Sequence, residues 1–354
     1  MTAIPEPIHT TVNRIYDAYV KADKNEHRPH LGASVIGENC ERRNWYKFRW
    51  ALKEVHDGRM LRLFATGHLA EPRFIKDLRD IGCEVEYEDE HGRQYRVHDF
   101  GGHFGGAMDA LVHNLPEAPK TWHVGEFKTH SQKSFDALQK LGVKKHKPNH
   151  YAQVQIYMGY TDLKRAIYLA VNKNTDELYS ERIEFDPVAF ASLKARALRI
   201  IEAPEPLPRI SSDPSAFECK YCEFKPVCHG DRLPEVNCRT CTHSTPVTAA
   251  AGGDSSDGGP WRCEVHNDNV PLDFQRQGCS GHRYIPIFCE KSARAIDYRD
   301  GVVIYEVSEN RTFGNGDGSD GTITSAEMRV AGGLDALPEA AEIKRQIKTA
   351  RVVA

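Results

Sequence analysis

At Cys83 the texture of the sequence changes, and no other feature limits the available folds as strongly. Upstream, apolar residues recur at helical spacing. Val12, Ile15, Tyr16 and Tyr19 mark an amphipathic helix over residues 8–24. Ser34 reads as the N-cap of a second helix running through Cys40 and Tyr46. Residues 61–78 read as a third, interrupted in propensity by Gly67 and Pro72. From Cys83 to Lys128 the apolar residues sit instead in short segments, among them Val85, Tyr95, Val97, Leu111, Val112 and Val124. His91-Gly92, Gly101-Gly102 and the prolines at 116 and 119 punctuate them, which predicts a β-meander of three or four strands. A Lys-rich stretch, 133–147, leads into a helix at 151–160, strands at 166–171 and 178–183, and a helix at 188–201. This alternation is that of an α/β chain.

Pro204, Pro206, Pro208 and Pro214 then mark an extended linker into a cysteine cluster at 219–228. A second cluster begins at Cys238 and is split by a flexible insert at 248–260, rich in Ala, Gly, Ser and Asp. The tail holds one short strand, 302–307, and a Gly/Asp-rich turn region, 314–321. The expected organisation is a main domain at 1–232, a small Cys-rich module at 233–290, and an extension at 291–354 whose role is not readable. A chain of 354 residues is long enough for one substantial core plus such a module.

No apolar run approaches the roughly 20 residues that span a bilayer. The opening segment lacks a basic region and an apolar stretch, so no secretory signal is expected and the protein is expected in a cytoplasm. A net charge of −3 argues against a binder held by bulk charge, although a local basic face would still serve nucleic acid. The spacing GxxxxGK[ST] is absent, so the chain encodes no ATP-driven motor. In a reducing compartment the ten cysteines do not form a disulfide framework. Eight fall at ligand spacings, and Cys83 and Cys289 are left as buried free thiols.

Two predicted strand ends carry the chemistry. One ends in Gly105-Gly106-Ala107-Met108-Asp109, the next in Gly125-Glu126-Phe127-Lys128. On neighbouring strands Asp109 and Glu126 converge, and two carboxylates of this kind hold Mg²⁺ or Mn²⁺ through oxygen. The Phe127 carbonyl is a third oxygen ligand. Lys128, two residues from Glu126, shares its face. Its ammonium can orient an attacking water and offset charge on a phosphorane-like transition state. Taken alone, Glu-x-Lys is ordinary strand surface charge; order and spacing give it weight. Upstream, Glu71 offers a further carboxylate from a helix, with His68 as the other choice there. Downstream, Gln153 and Tyr157 are four apart and share a helix face, suited to hold a DNA backbone or the nucleophilic water.

This ordered set resembles RecB-like and YqaJ-like (phage lambda-type) exonucleases of the PD-(D/E)XK superfamily. The matching pieces are 67–71, 106–109, 126–128 and 153–157, and the resemblance covers residues 30–230. It implies a restriction-endonuclease-like core, a central mixed sheet flanked by helices, with one or two divalent metals. It further implies resection of linear DNA from its ends, leaning toward 5′-to-3′ attack. Asp109 and Glu126 would be metal ligands, Lys128 the catalytic lysine, and Gln153 and Tyr157 the family's Q-x-x-x-Y element. Glu71 fits the YqaJ-like position after the Gly, whereas His68 does not fit the usual RecB-like histidine. A phage origin, a host cytoplasm, and a single-strand-annealing or recombination protein as partner are the accompanying expectations.

Cys219-x2-Cys222-x5-Cys228, with Cys40 far upstream, resembles the iron–sulfur staple of RecB-like exonucleases. Four thiolates suit a [4Fe–4S] cluster and equally suit tetrahedral Zn²⁺, and the resemblance favours iron–sulfur. His229 is the alternative fourth ligand. Cys238, Cys241, Cys263 and Cys279 form a second four-cysteine set, read as a structural zinc ribbon, with His243, His266 and His282 near enough to replace one thiol. Arg42, Arg43, Lys47 and Arg49 cluster with Trp45, Tyr46 and Trp50, a composition that suits phosphate contact and base stacking and core packing equally. Lys133, Lys140, Lys144, Lys145 and Lys147 form a second basic stretch beside the Glu-x-Lys segment. Three readings compete: a DNA exonuclease, a junction or restriction-type endonuclease of the same superfamily, and a metal-stapled DNA-binding protein without catalysis. Linear against circular substrate separates the first two, and binding without cleavage marks the third.

Overall fold

The computed structural model describes residues 10–24, 26–248, 258–331 and 333–352. Residues 1–9 and 249–257, which hold most of the segment read for a secretory signal and of the flexible insert, fall outside them. In chain order the first half comprises α1 (Thr10–Ala22), β1 (Leu31–Gly32), α2 (Glu41–Phe48), α3 (Gly58–Asp80), β2 (Glu84–Glu86), β3 (Arg96–Asp99), β4 (Phe104–Ala107), β5 (Ala110–His113) and β6 (His123–His130). Then come α4 (Gln132–His146), α5 (Pro148–Thr161), β7 (Arg165–Asn172), β8 (Leu178–Glu184) and α6 (Pro187–Glu202).

The main sheet has the order β2-β5-β6-β7-β8 and is mixed. Only the central pair, β6 and β7, runs parallel. Parallel neighbours need a long crossover, which α4 and α5 supply. The central strands are mostly buried along their length, while the edge strand β8 alternates with only Ile183 buried, as a half-solvated edge should. One face carries Phe127 and Ile167 under Phe74, Ile75 and Leu78 of α3. The other carries Val124, Ala166, Tyr168 and Ala170 against α4, α5 and α6.

The expected single meander is instead divided between two sheets. β4 pairs with β3 and, in parallel, with β1. The chain leaves that sheet at Met108-Asp109 and enters the main sheet as β5. The second predicted helix also differs. Ser34 lies in a 3-10 turn, Ala33–Val35, and α2 starts at Glu41 with Cys40 as its N-cap. Between them Gly37 presses onto α5, where a Cβ would lie 2.8 Å from that of Ala152, and this close approach replaces a helical turn. α3 runs unbroken through Gly67 and Pro72, capped by Asp57, whose side chain accepts from Met60 N–H. The Lys-rich stretch is helical, forming α4.

Beyond α6 come α7 (Phe217–Lys220) and α8 (Lys225–Cys228), then a small sheet of β9 (Ser244–Pro246), β10 (Trp261–Cys263) and β11 (Asp268–Val270), and α9 (Leu272–Gln275). The tail builds a three-stranded antiparallel sheet, β12 (Arg294–Arg299), β13 (Val302–Ser308) and β14 (Arg311–Asn315), followed by α10 (Ser325–Val330) and α11 (Leu337–Val352). Leu233, Tyr284 and Cys289 share a core with Val303, Tyr305 and Phe313 of that sheet, whereas Trp261 and Ile285 pack into the core of the main domain. No helix among the described residues is long and apolar enough to cross a membrane.

Candidate active site

Glu126, Lys128 and Asp109 meet at the C-terminal half of β6. Asp109 sits in the crossing between the two sheets, and its Oδ2 accepts a 2.7 Å hydrogen bond from Phe127 N–H. The Lys128 ammonium lies 3.5 Å from Asp109 Oδ2, is ion-paired with Glu126 Oε1, and donates to the Phe127 carbonyl at 3.0 Å. Glu126 is fully buried, and apart from the Lys128 ammonium at Oε1 its carboxylate meets no hydrogen-bond donor. Burial pushes its carboxyl up to about 7, with Lys128 opposing and Asp109 adding to the rise. Burial would lower Lys128, but Glu126 and Asp109 outweigh it and hold the ammonium well above its ordinary value. Burial thus leaves Glu126 Oε2 without a donor beside a second carboxylate, Asp109.

Glu71 faces this pair from α3. Its carboxyl is raised by partial burial and by the Asp109 charge, and its Oε1 lies 3.4 Å from His68 Nδ1. Glu71, His68, Lys128, Thr129, Lys173 and Phe64 line an open cleft of about 340 Å³. Gln153 and Tyr157 lie on the far side of Asp109 and are buried. Gln153 donates to the Tyr157 hydroxyl at 3.2 Å, and that hydroxyl donates to the Ala107 carbonyl at 2.7 Å. Their polar groups therefore grip the strand that leads to Asp109. The Gly in the Gly-x-x-Asp segment has the same cause: a Cβ on Gly106 would lie 2.6 Å from the Tyr157 hydroxyl.

Several neighbours carried no sequence signal. The Tyr168 hydroxyl bridges His130 Nε2 at 2.9 Å and His150 Nδ1 at 2.8 Å. Tyr168 stands beside Glu126 in the β6–β7 register, a pairing visible only once the strands are aligned. Lys173 enters the cleft from the end of β7. The Arg- and Trp-rich cluster on α2 faces inward. Trp45, Tyr46 and Trp50 are buried; Arg42 donates to the Pro206 and Leu207 carbonyls, and Arg49 to the Ala203 carbonyl. Arg43 and Lys47 pair with Glu223. Of the basic groups expected to meet DNA, Lys133, Lys140, Lys144 and Lys145 remain exposed, on α4 directly after β6.

Cys40, Cys219, Cys222 and Cys228 line one narrow cleft, with His229 at its edge, and Cys238, Cys241, Cys263 and Cys279 line another. All ten cysteines are free. Among the described residues no group of three His, Cys, Asp or Glu side chains is set to hold a metal ion, so neither thiol set forms a ready ligand cage.

The sequence profile of the PD-(D/E)XK nuclease superfamily matches residues 6–229. The chain belongs to the PD-(D/E)XK nuclease superfamily. The match contains Glu71, Asp109, Glu126, Lys128, Gln153 and Tyr157, and it ends one residue past Cys228. Nucleases of this superfamily generally use Mg²⁺ or Mn²⁺. No curated protein matches the chain. Among solved structures, that of the alkaline exonuclease from Laribacter hongkongensis is 15% identical, with a TM-score of 0.35 over 52% of this chain and 90% of that one. The same enzyme in complex with dAMP is 15% identical, with a TM-score of 0.34 over 53% and 89%. The structure titled SSO0001 is 14% identical, with a TM-score of 0.35 over 62% and 96%.

Proposed function

We propose that this PD-(D/E)XK nuclease is a divalent-metal-dependent deoxyribonuclease that removes nucleotides from DNA ends, in recombination or DNA processing. The observation that carries the reading is the pairing of a fully buried Glu126 with the Lys128 ammonium and Asp109, its Oε2 left without a hydrogen-bond donor. Asp109, Glu126 and the Phe127 carbonyl fit a hard cation, with Glu71 reaching it directly or through water. When bound, the metal supplies an acidified water and neutralises charge on the scissile phosphate. Lys128 holds the attacking water and offsets the charge that grows on the phosphate oxygens. Tyr157 and Gln153 fix the backbone that presents Asp109. The exposed lysines of α4 give the phosphate backbone a path to the cleft. The ordered motifs at 67–71, 106–109, 126–128 and 153–157 support action at ends.

In the same reading Cys40, Cys219, Cys222 and Cys228 hold a [4Fe–4S] cluster that ties α2 to α7 and α8. The four thiols line one cleft, which supports this. The broad visible absorption of anaerobically prepared protein distinguishes iron–sulfur from zinc.

The test of end specificity uses one DNA as a labelled linear duplex and as a covalently closed circle, with Mg²⁺, Mn²⁺ or chelator. The proposal expects the linear form to shorten from its ends only with metal while the circle survives. Cleavage of the circle at comparable rate replaces the reading with an endonuclease. Binding without cleavage of either form removes catalysis altogether.

A further inference from the structure

The second thiol set lies in the part of the chain with the least to hold it together. β9, β10 and β11 are three residues each. Trp261 and Ile285 belong to the core of the main domain, and Tyr284 and Cys289 to that of the tail, so among the described residues no separate apolar core is left to the segment between them. In place of a core there is a cavity of about 510 Å³, lined by Cys238, Cys241, Cys263, Cys279 and His282. Sulfur contacts there run both ways: the Cys238 thiol donates to the Phe274 carbonyl at 3.6 Å and the Gln277 carbonyl at 3.8 Å. Arg283 N–H donates to Cys241 Sγ at 3.4 Å, and Cys279 Sγ lies 3.7 Å from His266 Nε2. His282 is 2% exposed, and its Nδ1 has no partner although Nε2 meets Thr240 Oγ1 at 3.2 Å. Nδ1 is a buried ring nitrogen without a partner on a residue that lines the same cavity as the four thiols.

The turn between the first two cysteines does something else. Arg239, inside Cys238-x2-Cys241, is fully buried in the main domain. It donates to the Phe48 carbonyl at 3.0 Å, to the Pro29 carbonyl at 2.8 Å and to Gln275 Oε1, and its guanidinium lies 3.6 Å from the centre of the Trp50 ring. No carboxylate pairs with it among the described residues. A buried guanidinium held only by carbonyls and ring faces depends on a backbone that cannot turn it away.

We infer that Cys238, Cys241, Cys263 and Cys279 bind one structural Zn²⁺ as thiolates, and that the metal fixes the turn that plugs Arg239 into the nuclease domain. Four thiols each lose a proton to solvent on binding and draw in to zinc–sulfur distances of about 2.3 Å. The His282 ring, with its proton on Nδ1, then donates to one sulfur, as outer partners of zinc sites do. This site is independent of the nuclease chemistry and stands or falls apart from it.

Metal content of the full-length protein, purified without chelator, is the experiment. Wild type is expected to hold one zinc that a mercurial thiol reagent releases stoichiometrically. Cys238→Ser and Cys263→Ser are expected to lose it, and Cys219→Ser to keep it. Cobalt exchanged into wild type is expected to give tetrahedral thiolate spectra, a readout that needs no variant to fold. Hydrogen exchange after zinc removal should rise at 236–243 and also at 45–52, where Arg239 docks. A folded wild type that neither carries nor takes up zinc overturns the site, as does a zinc that follows Cys219. Exchange that rises in the module alone overturns the coupling through Arg239.

Discussion

The Tyr157 hydroxyl donates a 2.7 Å hydrogen bond to the carbonyl of Ala107, two residues before Asp109. A buried hydroxyl on a rigid helix thus sets the height of a carboxylate on a short crossing between sheets. Tyr157→Phe removes the hydroxyl from a half-buried carbonyl, which costs about 1 kcal/mol. It should also weaken Mg²⁺ affinity by about tenfold or more, as loss of outer support does at metal sites. Metal titration of cleavage rate and thermal melting measure the two effects. A melting loss with unchanged metal dependence would reduce Tyr157 to a packing residue.

Gly106 shares that contact, since an added Cβ would lie 2.6 Å from the Tyr157 hydroxyl. Gly106→Ala should destabilise by about 1–3 kcal/mol through overpacking. Combined with Tyr157→Phe the two costs should fall short of additive, because the second change removes the atom the first one strikes. Additive melting shifts in the double variant would place the strain elsewhere.

Glu126 gives the site its pH dependence. Burial raises its carboxyl to about 7 from an ordinary 4.5. A raised acid favours the protonated folded form. Its contribution to stability is therefore full below pH 4.5 and is lost as pH rises through 7. Metal-free protein should lose melting temperature across that window, and Glu126→Gln should not. Metal competes with the same proton, so apparent Mg²⁺ affinity should rise up to about pH 7 and then level. An Mg²⁺ affinity flat from pH 5.5 to 8 would mean that Glu126 is not a ligand.

Trp261 joins the small module to the nuclease domain. It is fully buried, 5.4 Å from the Phe48 ring, with the Arg49 and Arg239 guanidinium groups 4.9 and 5.0 Å from its own. Trp261→Ala should cost about 3–5 kcal/mol and lower the melting of the nuclease domain itself. Two separate transitions, with the nuclease one unmoved, would show that the module is a passenger.

Much of the site was legible because it rests on fixed periods. Glu126 and Lys128 share a face by the two-residue repeat of a strand, and Gln153 and Tyr157 by the four-residue repeat of a helix. The buried strand β7 and the helix α6 stood out from long, regular apolar patterns. Long-range pairing was not legible. The stretch read as one meander splits at Met108, where no proline or new glycine announces a change of sheet. Arginine misleads in a similar way: Arg42, Arg49 and Arg239 look like surface charge but bury their stems against aromatic rings and spend their heads on carbonyls. One missed feature did leave a signal. Asp300-Gly301, both at positive φ, joins β12 to β13 as a two-residue hairpin turn. The dipeptide is a strong hairpin mark, but β12 itself is too polar to read as a strand.

The most direct test of the catalytic centre is single-turnover hydrolysis of linear DNA by wild type and Lys128→Met, each with Mg²⁺ and with chelator, on protein whose melting confirms that it is folded. Cleavage by wild type only with metal, reduced at least about a hundredfold in Lys128→Met, is the predicted result. Equal cleavage by the two proteins, or cleavage by wild type in chelator, would contradict a metal-dependent nuclease site built on Asp109, Glu126 and Lys128.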